Sequence, residues 1–276
     1  MNKKSMYDLD TYIAEIYDQC ETDMSDVDLI RNHLEEKSLN ILEPFCGTGR
    51  ISLSLLKDGH KVIGIDNAKG MLDWFKKKII NENIPFENVK LIEGDVLVDS
   101  WPRDVDLVIL GCNCFYELAS LDEQEHCIAM ALKSLKPNGY LYVDNNHMEG
   151  DLDENWQELN VVRKSMCGST RDGSIVETTR KTIWYDIKKR LAQFERVSKV
   201  KKNNGEILEN TYIQQKHPVS KLEVQNMLLN NGFKILNVYG NGEGETYSNS
   251  SPRAIFWARK NLEWIKWIWW LYIISD

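Results

Sequence analysis

The chain has 276 residues, 42% hydrophobic and 28% charged, a soluble globular composition long enough for one large domain with a real core or a domain with a subdomain. Its formal net charge of -8 argues against a surface built mainly as a nucleic-acid track, because phosphate binding needs clustered positive charge. Six cysteines (20, 46, 112, 114, 127, 167) lack a C-x-x-C pair or a histidine at ligand spacing, so no metal site is expected, and free thiols suit a reducing cytoplasm. The opening MNKKSMYDLD has no apolar run of the kind a secretory signal needs.

Residues 5 to 37 read as one or two helices, with Tyr12, Ile13, Ile16 and Tyr17 on one face and Val27, Leu29, Ile30 and Leu34 on another. Asn40 to Phe45 is a short apolar strand. Cys46-Gly47-Thr48-Gly49 follows, then a helix through Arg50, Ile51, Leu53, Leu55 and Leu56 that ends at Gly59. Lys61 to Ile65 is a second buried strand and closes on Asp66-Asn67. Two glycines between strand and helix let the backbone approach a ligand, since neither has a Cβ. An acid at the tip of the next strand can accept two hydrogen bonds from a ribose diol, so the stretch describes a nucleoside pocket. The dinucleotide fingerprint G-x-G-x-x-G fails here: its third glycine falls on Ser52, and Glu43 stands four positions before Gly47. A carboxylate beside the loop suits a cationic ligand better than a pyrophosphate.

The run Glu43-Pro-Phe-Cys-Gly-Thr-Gly49 resembles the first motif of the class I S-adenosylmethionine-dependent methyltransferases, an acid followed by G-x-G. The resemblance implies an α/β fold: a Rossmann-like seven-stranded sheet with helices on both faces. It implies S-adenosylmethionine as cofactor and S-adenosylhomocysteine as product, with Glu43, Gly47, Thr48, Gly49, Arg50, Asp66, Asn67 and Met71 around the cofactor. Tyr12-Ile-Ala-Glu-Ile-Tyr-Asp18 looks like the A-x-x-Y-D lid of the small-molecule branch, which makes Tyr12 a cofactor candidate and Tyr17 a candidate to touch methionine or acceptor.

Met71, Leu72, Trp74 and Phe75 open a helix that ends near Asn81, and Val89 to Ile92 is the third strand. In the family an acid after this strand takes the adenine amino group, a role that falls on Asp95 with Gly94 and Val96 beside it. Val105 to Gly111 is the fourth strand, and Cys112 to Glu117 lies at the mouth of the crevice where open α/β sheets bind ligands. This run lacks the N/D-P-P-Y/F turn of the DNA- and glutamine-directed enzymes; Asn113, Phe115 and Tyr116 are cofactor or acceptor candidates. Leu121 to Leu135 is a helix stopped by Lys136-Pro-Asn-Gly139, Tyr140 to Asp144 is the fifth strand, and Asn145, Asn146 and His147 project from its end.

Residues 148–219 interrupt the alternation. Ser174–Asp186, Arg190–Lys202 and Glu206–His217 read as three long strands, an inserted antiparallel subdomain that resembles the acceptor side of the glycine and sugar-amine N-methyltransferases. Pro218 and Val219 stand where that family often has arginine. Tyr17, His147 and His217 are candidates to position the acceptor or take its proton. From Arg180 to Lys202 nine Lys and Arg face two acids, either as the wet face of a two-sided sheet or to steer an anionic acceptor. Lys221–Asn231 is the last helix, Phe233–Tyr239 the sixth strand and Ala254–Arg259 the seventh, antiparallel in the family.

The tail, 261–276, holds four of nine tryptophans and is too short to span a bilayer; packing onto the domain, a partner subunit in a homo-oligomer and a membrane interface are open to it. The expected organisation is a helical lid (1–38), a cofactor core (39–147 and 220–260), the antiparallel insertion (148–219) and the tail. The expected reaction is methyl transfer to a small-molecule nitrogen or oxygen. An RNA or tRNA methyltransferase using the basic insertion is the alternative, and an NAD-dependent protein with a degenerate loop stands behind both.

Overall fold

The computed structural model describes residues 9–34 and 37–261. Two helices lead, α1 (Tyr12–Cys20) and α2 (Ser25–Arg31). A β/α alternation follows: β1 (Asn40–Pro44), α3 (Arg50–Lys57), β2 (Lys61–Asp66), α4 (Lys69–Asn81), β3 (Val89–Glu93), β4 (Val105–Leu110), α5 (Leu121–Ser134) and β5 (Leu135–Asn146). A short helix, α6 (Glu154–Gln157), precedes the hairpins β6 (Arg163–Ser169), β7 (Ile175–Asp186), β8 (Leu191–Lys201) and β9 (Ile207–Lys216). The described chain closes with α7 (Lys221–Asn230), β10 (Phe233–Tyr239) and β11 (Arg253–Lys260).

Seven strands form one sheet in the order β10-β11-β5-β4-β1-β2-β3. β1 pairs in parallel with β2 on one side and β4 on the other, so the chain reverses its direction of travel between them and opens a crevice at their C-terminal ends. β11 runs antiparallel to both neighbours. The central strands are apolar on both faces because helices cover both. Val108, Leu110, Leu141 and Val143 meet α5 and α7, while Ile41, Leu107, Ile109 and Tyr142 meet α2, α3 and α4. Each such aliphatic burial contributes about 1.5–3 kcal/mol.

The insertion is a separate antiparallel sheet, β6-β7-β8-β9, with one strand more than the three expected. β6 reads Arg-Lys-Ser-Met-Cys-Gly-Ser, without a β-branched or aromatic residue, so propensity gives no signal. It is recruited by its partner: Thr178 Oγ1 accepts from Met166 N at 2.8 Å and donates to Met166 O at 3.0 Å. The fifth strand likewise begins earlier than expected, at Leu135, because Lys136-Pro-Asn-Gly139 stays alongside β4 and a register shift between Val105 and Leu107 absorbs the extra residues. Asn138 takes the left-handed conformation this needs, with φ +64°.

α1 lies between the two sheets. Ile13 and Ile16 pack on Val176 and Val200 of the insertion, and Ala14 packs on Ala68 and Met71 at the start of α4. No helix among the described residues is long and apolar enough to cross a membrane. The Trp-rich tail beyond Asn261 lies outside the described residues.

Candidate active site

Glycine is required twice after β1, for different reasons. Gly49 caps α3 at φ +73°, and a Cβ there would sit 2.4 Å from the Phe75 ring. Gly47 has φ +52°, but a Cβ there would enter open space. That space is bordered by Asp66 at the tip of β2, whose Oδ2 accepts from Gly47 N at 2.8 Å and whose Oδ1 accepts from Ala68 N at 2.9 Å. Burial raises the Asp66 pKa while these backbone donors oppose the rise. Glu43 is buried beneath the loop, and its Oε2 accepts from both the Ser52 backbone N–H and the Ser52 hydroxyl. Burial pushes its carboxyl up to about 7. Its bonds therefore brace the first turn of α3.

The two leading helices are fastened over this loop by acids. Asp18 of α1 accepts from Thr48 Oγ1 at 2.5 Å and Trp74 Nε1 at 2.8 Å, and pairs with Lys78 Nζ at 2.7 Å. Arg50 reaches back to Asp26 of α2 through both terminal nitrogens, to the Asp23 carbonyl at 2.5 Å and to Cys112 Sγ at 2.5 Å. Asp18 is the final residue of the A-x-x-Y-D segment, and its bonds to Thr48 and Trp74 are a role that the sequence pattern alone did not assign. Tyr17 packs on Ala14, Ala68 and Met71, beside the loop. Tyr12 turns the other way, onto the cluster of Leu9, Ile13, Val176 and Val200 between α1 and the insertion.

On the far side of β2, Gly94 N donates to Asp66 O at 3.0 Å, which ties the turn after β3 to the strand carrying the acid. Asn67 and Asp95 are both exposed. Asp95 Oδ1 accepts from Leu97 N at 2.9 Å, and its own N–H donates to Asp99 Oδ2 at 2.7 Å. Val96 is buried, and its carbonyl accepts from Trp101 Nε1 at 2.9 Å.

At the end of β4, Cys112 (φ +53°) and Asn113 (φ +61°) are successive non-glycine residues in the left-handed region, a conformation that costs energy and is held by its surroundings. Asn113 Oδ1 accepts from Asn146 N at 2.5 Å and Arg253 Nη2 at 3.2 Å. Arg253 is itself set by buried Asp144, at 2.7 Å, a link that joins the ends of three strands and that local sequence could not reveal. A single 3-10 turn, Cys114–Glu117, follows. Phe115 is fully buried in the core, and Tyr116 meets Trp156 edge-on at 5.9 Å.

The antiparallel sheet lies over this turn: Lys216 Nζ is 2.5 Å from Glu117 Oε1, and Gln214 donates to Oε2 of the same carboxylate. The outer face of the sheet pairs its lysines with acids: Lys164 with Glu177 at 2.5 Å, Lys181 with Glu195 at 2.7 Å, Lys199 with Glu209 at 3.5 Å. His217, at the exit from β9, is buried with Nδ1 2.9 Å from Gln124 Oε1 and Nε2 4.0 Å from Glu223 Oε1. His147 faces Tyr247, with Nε2 3.4 Å from the hydroxyl, and burial lowers its pKa. Tyr17, His147 and His217 thus occupy three different neighbourhoods.

The strand order, the glycine loop and the acid at the tip of β2 define the class I methyltransferase fold. A family model described as a methyltransferase domain matches residues 35–232, and the chain belongs to that family. YqeM of Bacillus subtilis is 23% identical over 244 residues, 84% of this chain and 88% of its own. An S-adenosylmethionine-dependent methyltransferase from Clostridium acetobutylicum superposes over 90% of this chain and 98% of its own, with a TM-score of 0.69 at 14% identity. The sugar N-methyltransferase KedS8 from Streptoalloteichus covers 92% and 94%, with a TM-score of 0.67 at 13% identity. The chain is a methyltransferase with the fold of the S-adenosylmethionine-dependent enzymes.

Proposed function

We propose that the protein transfers a methyl group from S-adenosylmethionine to a small-molecule nitrogen or oxygen nucleophile seated between the antiparallel sheet and the turn after β4. The observation that carries this reading is the sheet itself, anchored over the Cys114–Glu117 turn by Lys216 and Gln214. The likeness to a sugar N-methyltransferase supports the same reading.

The residues at the glycine loop fit the cofactor. The open space at Gly47 gives room for a ligand, and the Asp66 carboxylate at its border is placed for a ribose diol. Exposed Asp95, with Val96 beside it, offers an acceptor for an adenine amino group. When bound, S-adenosylmethionine supplies a methyl group already activated by its sulfonium charge. The chain's own part is to hold a nucleophile in line behind that methyl, an effect able to supply roughly 7–11 kcal/mol of the barrier. We assign residues 1–38 as the lid, 148–219 as the acceptor side and 39–147 with 220–260 as the cofactor core. An amine acceptor must arrive neutral; His147, whose pKa burial lowers, and Tyr17 are retained as groups that position it or receive its proton. The six free cysteines support a reducing cytoplasm as its compartment.

An RNA substrate would need free positive charge on the outer face of the insertion, and there Lys164, Lys181 and Lys199 each pair with a glutamate. The test is methyl-labelled S-adenosylmethionine offered with a panel of small amines, alcohols and their phosphate esters, and separately with tRNA and ribosomal RNA. Label on a small molecule supports the reading; label on RNA alone overturns it.

A further inference from the structure

Resting on the reading just given, we infer that the inward face of the antiparallel sheet holds an anion subsite centred on Arg180 and Tyr212, and that the acceptor it serves carries a phosphate. Strand register sets Arg163, Arg180, Arg196 and Tyr212 in one row across β6, β7, β8 and β9. Side chains on a strand alternate between faces. Arg180 is flanked on β7 by buried Thr178 and Thr182, and Arg196 on β8 by buried Phe194 and Ser198, so both guanidinium groups belong to the face turned toward the core. The excess of lysine and arginine in this segment is therefore split: outer Lys181 and Lys199 are paired with acids, and Arg180 and Arg196 point in.

Glu117 is the acid that faces Arg196 and Lys216 on this side, and among the described residues Arg180 has only cations around it. Arg180 stacks over the Phe194 ring at 5.5 Å, and the charged groups acting on it are Arg196 and Arg163, both cations. Arg163 at the edge of the row is paired with Glu158. Lys216, 7% exposed, leans on Glu117 and is opposed by Arg196 and Arg180. A half-buried arginium among cations is costly unless an anion joins it. Among the described residues the neighbouring hydroxyl of Tyr212, which is buried, has no hydrogen-bond partner, and neither has Gln214 Oε1. A buried hydroxyl beside a cation is open to an acceptor that a ligand can bring.

The chemistry favours phosphate over carboxylate. A phosphate ester carries about 1.5 to 2 negative charges and three acceptor oxygens, enough to take the Arg180 fork and the Tyr212 hydroxyl while leaving an oxygen for a second cation. A carboxylate has one charge and two oxygens. The row stands over the Cys114–Glu117 turn through Gln214 and Lys216, so a phosphate bound there leaves the rest of the acceptor directed at the end of β4.

The test is titration of the full-length protein with inorganic phosphate, with acetate at matched ionic strength as the carboxylate probe, by calorimetry. S-adenosylhomocysteine affinity is measured on every variant. Arg180→Gln should weaken phosphate about tenfold or more, the scale of a lost charge-assisted bond, and Tyr212→Phe severalfold. Lys199→Gln, on the outer face, should leave phosphate affinity unchanged, and all three should bind S-adenosylhomocysteine like the wild type. Three results would each overturn the inference: phosphate affinity indifferent to Arg180→Gln and Tyr212→Phe, equal weakening by Lys199→Gln, or acetate binding as tightly as phosphate. Failure of the wild type to bind S-adenosylhomocysteine would instead count against the cofactor reading, and the phosphate series would still be read on its own terms.

Discussion

Gly47 and Gly49 are two residues apart and make opposite demands on a substitution. Gly49→Ala drives a methyl into the Phe75 ring at an already strained φ, so it should unfold the loop and lower the melting temperature sharply. Gly47→Ala meets nothing, so its stability loss should stay near the roughly 1–3 kcal/mol of a disfavoured backbone, while the new methyl group enters the space proposed for the cofactor. Melting curves and S-adenosylhomocysteine titrations on both variants check this: a Gly47→Ala protein that melts a few degrees lower but binds normally would contradict the placement. Glu43 makes a second prediction. Its folded pKa, about 7, is above its ordinary 4.5, so its contribution is fully present below about pH 4.5 and is lost as pH rises through 7. Glu43→Gln keeps an oxygen for Ser52 and should raise stability at pH 8 by on the order of 3 kcal/mol, a gain that vanishes at pH 4.5. Melting temperatures that differ equally at both pH values would contradict the buried, proton-binding carboxyl. The glycines and both acids were legible because each is fixed by its place in a strand-loop-helix-strand unit. That Glu43 spends its bonds on Ser52 was not, since a side chain's direction depends on packing from α3.

The leading helix carries the clearest link between an element and function. Asp18 gathers three donors from the glycine loop and α4, so Asp18→Ala should loosen α1 locally by about 1–3 kcal/mol and weaken cofactor binding, with the core intact. Faster amide exchange confined to residues 12–20 is the expected signature; unchanged exchange there would mean that α1 is held by Ile13 and Ile16 alone. At the other end of the chain, Ser220 and Glu223 form a capping box on α7. Ser220→Ala should cost about 1 kcal/mol and leave S-adenosylhomocysteine affinity unchanged, which separates stability from site. The elements that sequence showed plainly, β1, β2, β4 and the long hairpin strands, are rich in branched apolar residues with clear stops. β6 was hidden because its pairing comes from Thr178 on its neighbour, and α6 because four residues around Trp156 carry no periodicity.

Across the whole molecule, two sheets divide the work: one places a glycine loop and an acid at its crevice, and the other covers the turn after β4 with a face whose polarity only register reveals. The nine basic residues from Arg180 to Lys202 looked uniform in sequence, and the alternation of β7 and β8 separates outer Lys181 and Lys199, each paired with a glutamate, from inward Arg180 and Arg196. His217 is held by Gln124 and Glu223 near α5 and α7, so His217→Ala should lower stability while sparing the cofactor site. The measurement that bears most directly on the account is calorimetric titration of the wild type and Asp66→Ala with S-adenosylhomocysteine, with NADH as the control ligand and melting curves on both proteins. Micromolar binding by the wild type, loss of it in a folded Asp66→Ala protein, and no response to NADH are expected. Binding of NADH without S-adenosylhomocysteine, or an Asp66→Ala variant that binds as well as the wild type, would contradict the cofactor reading.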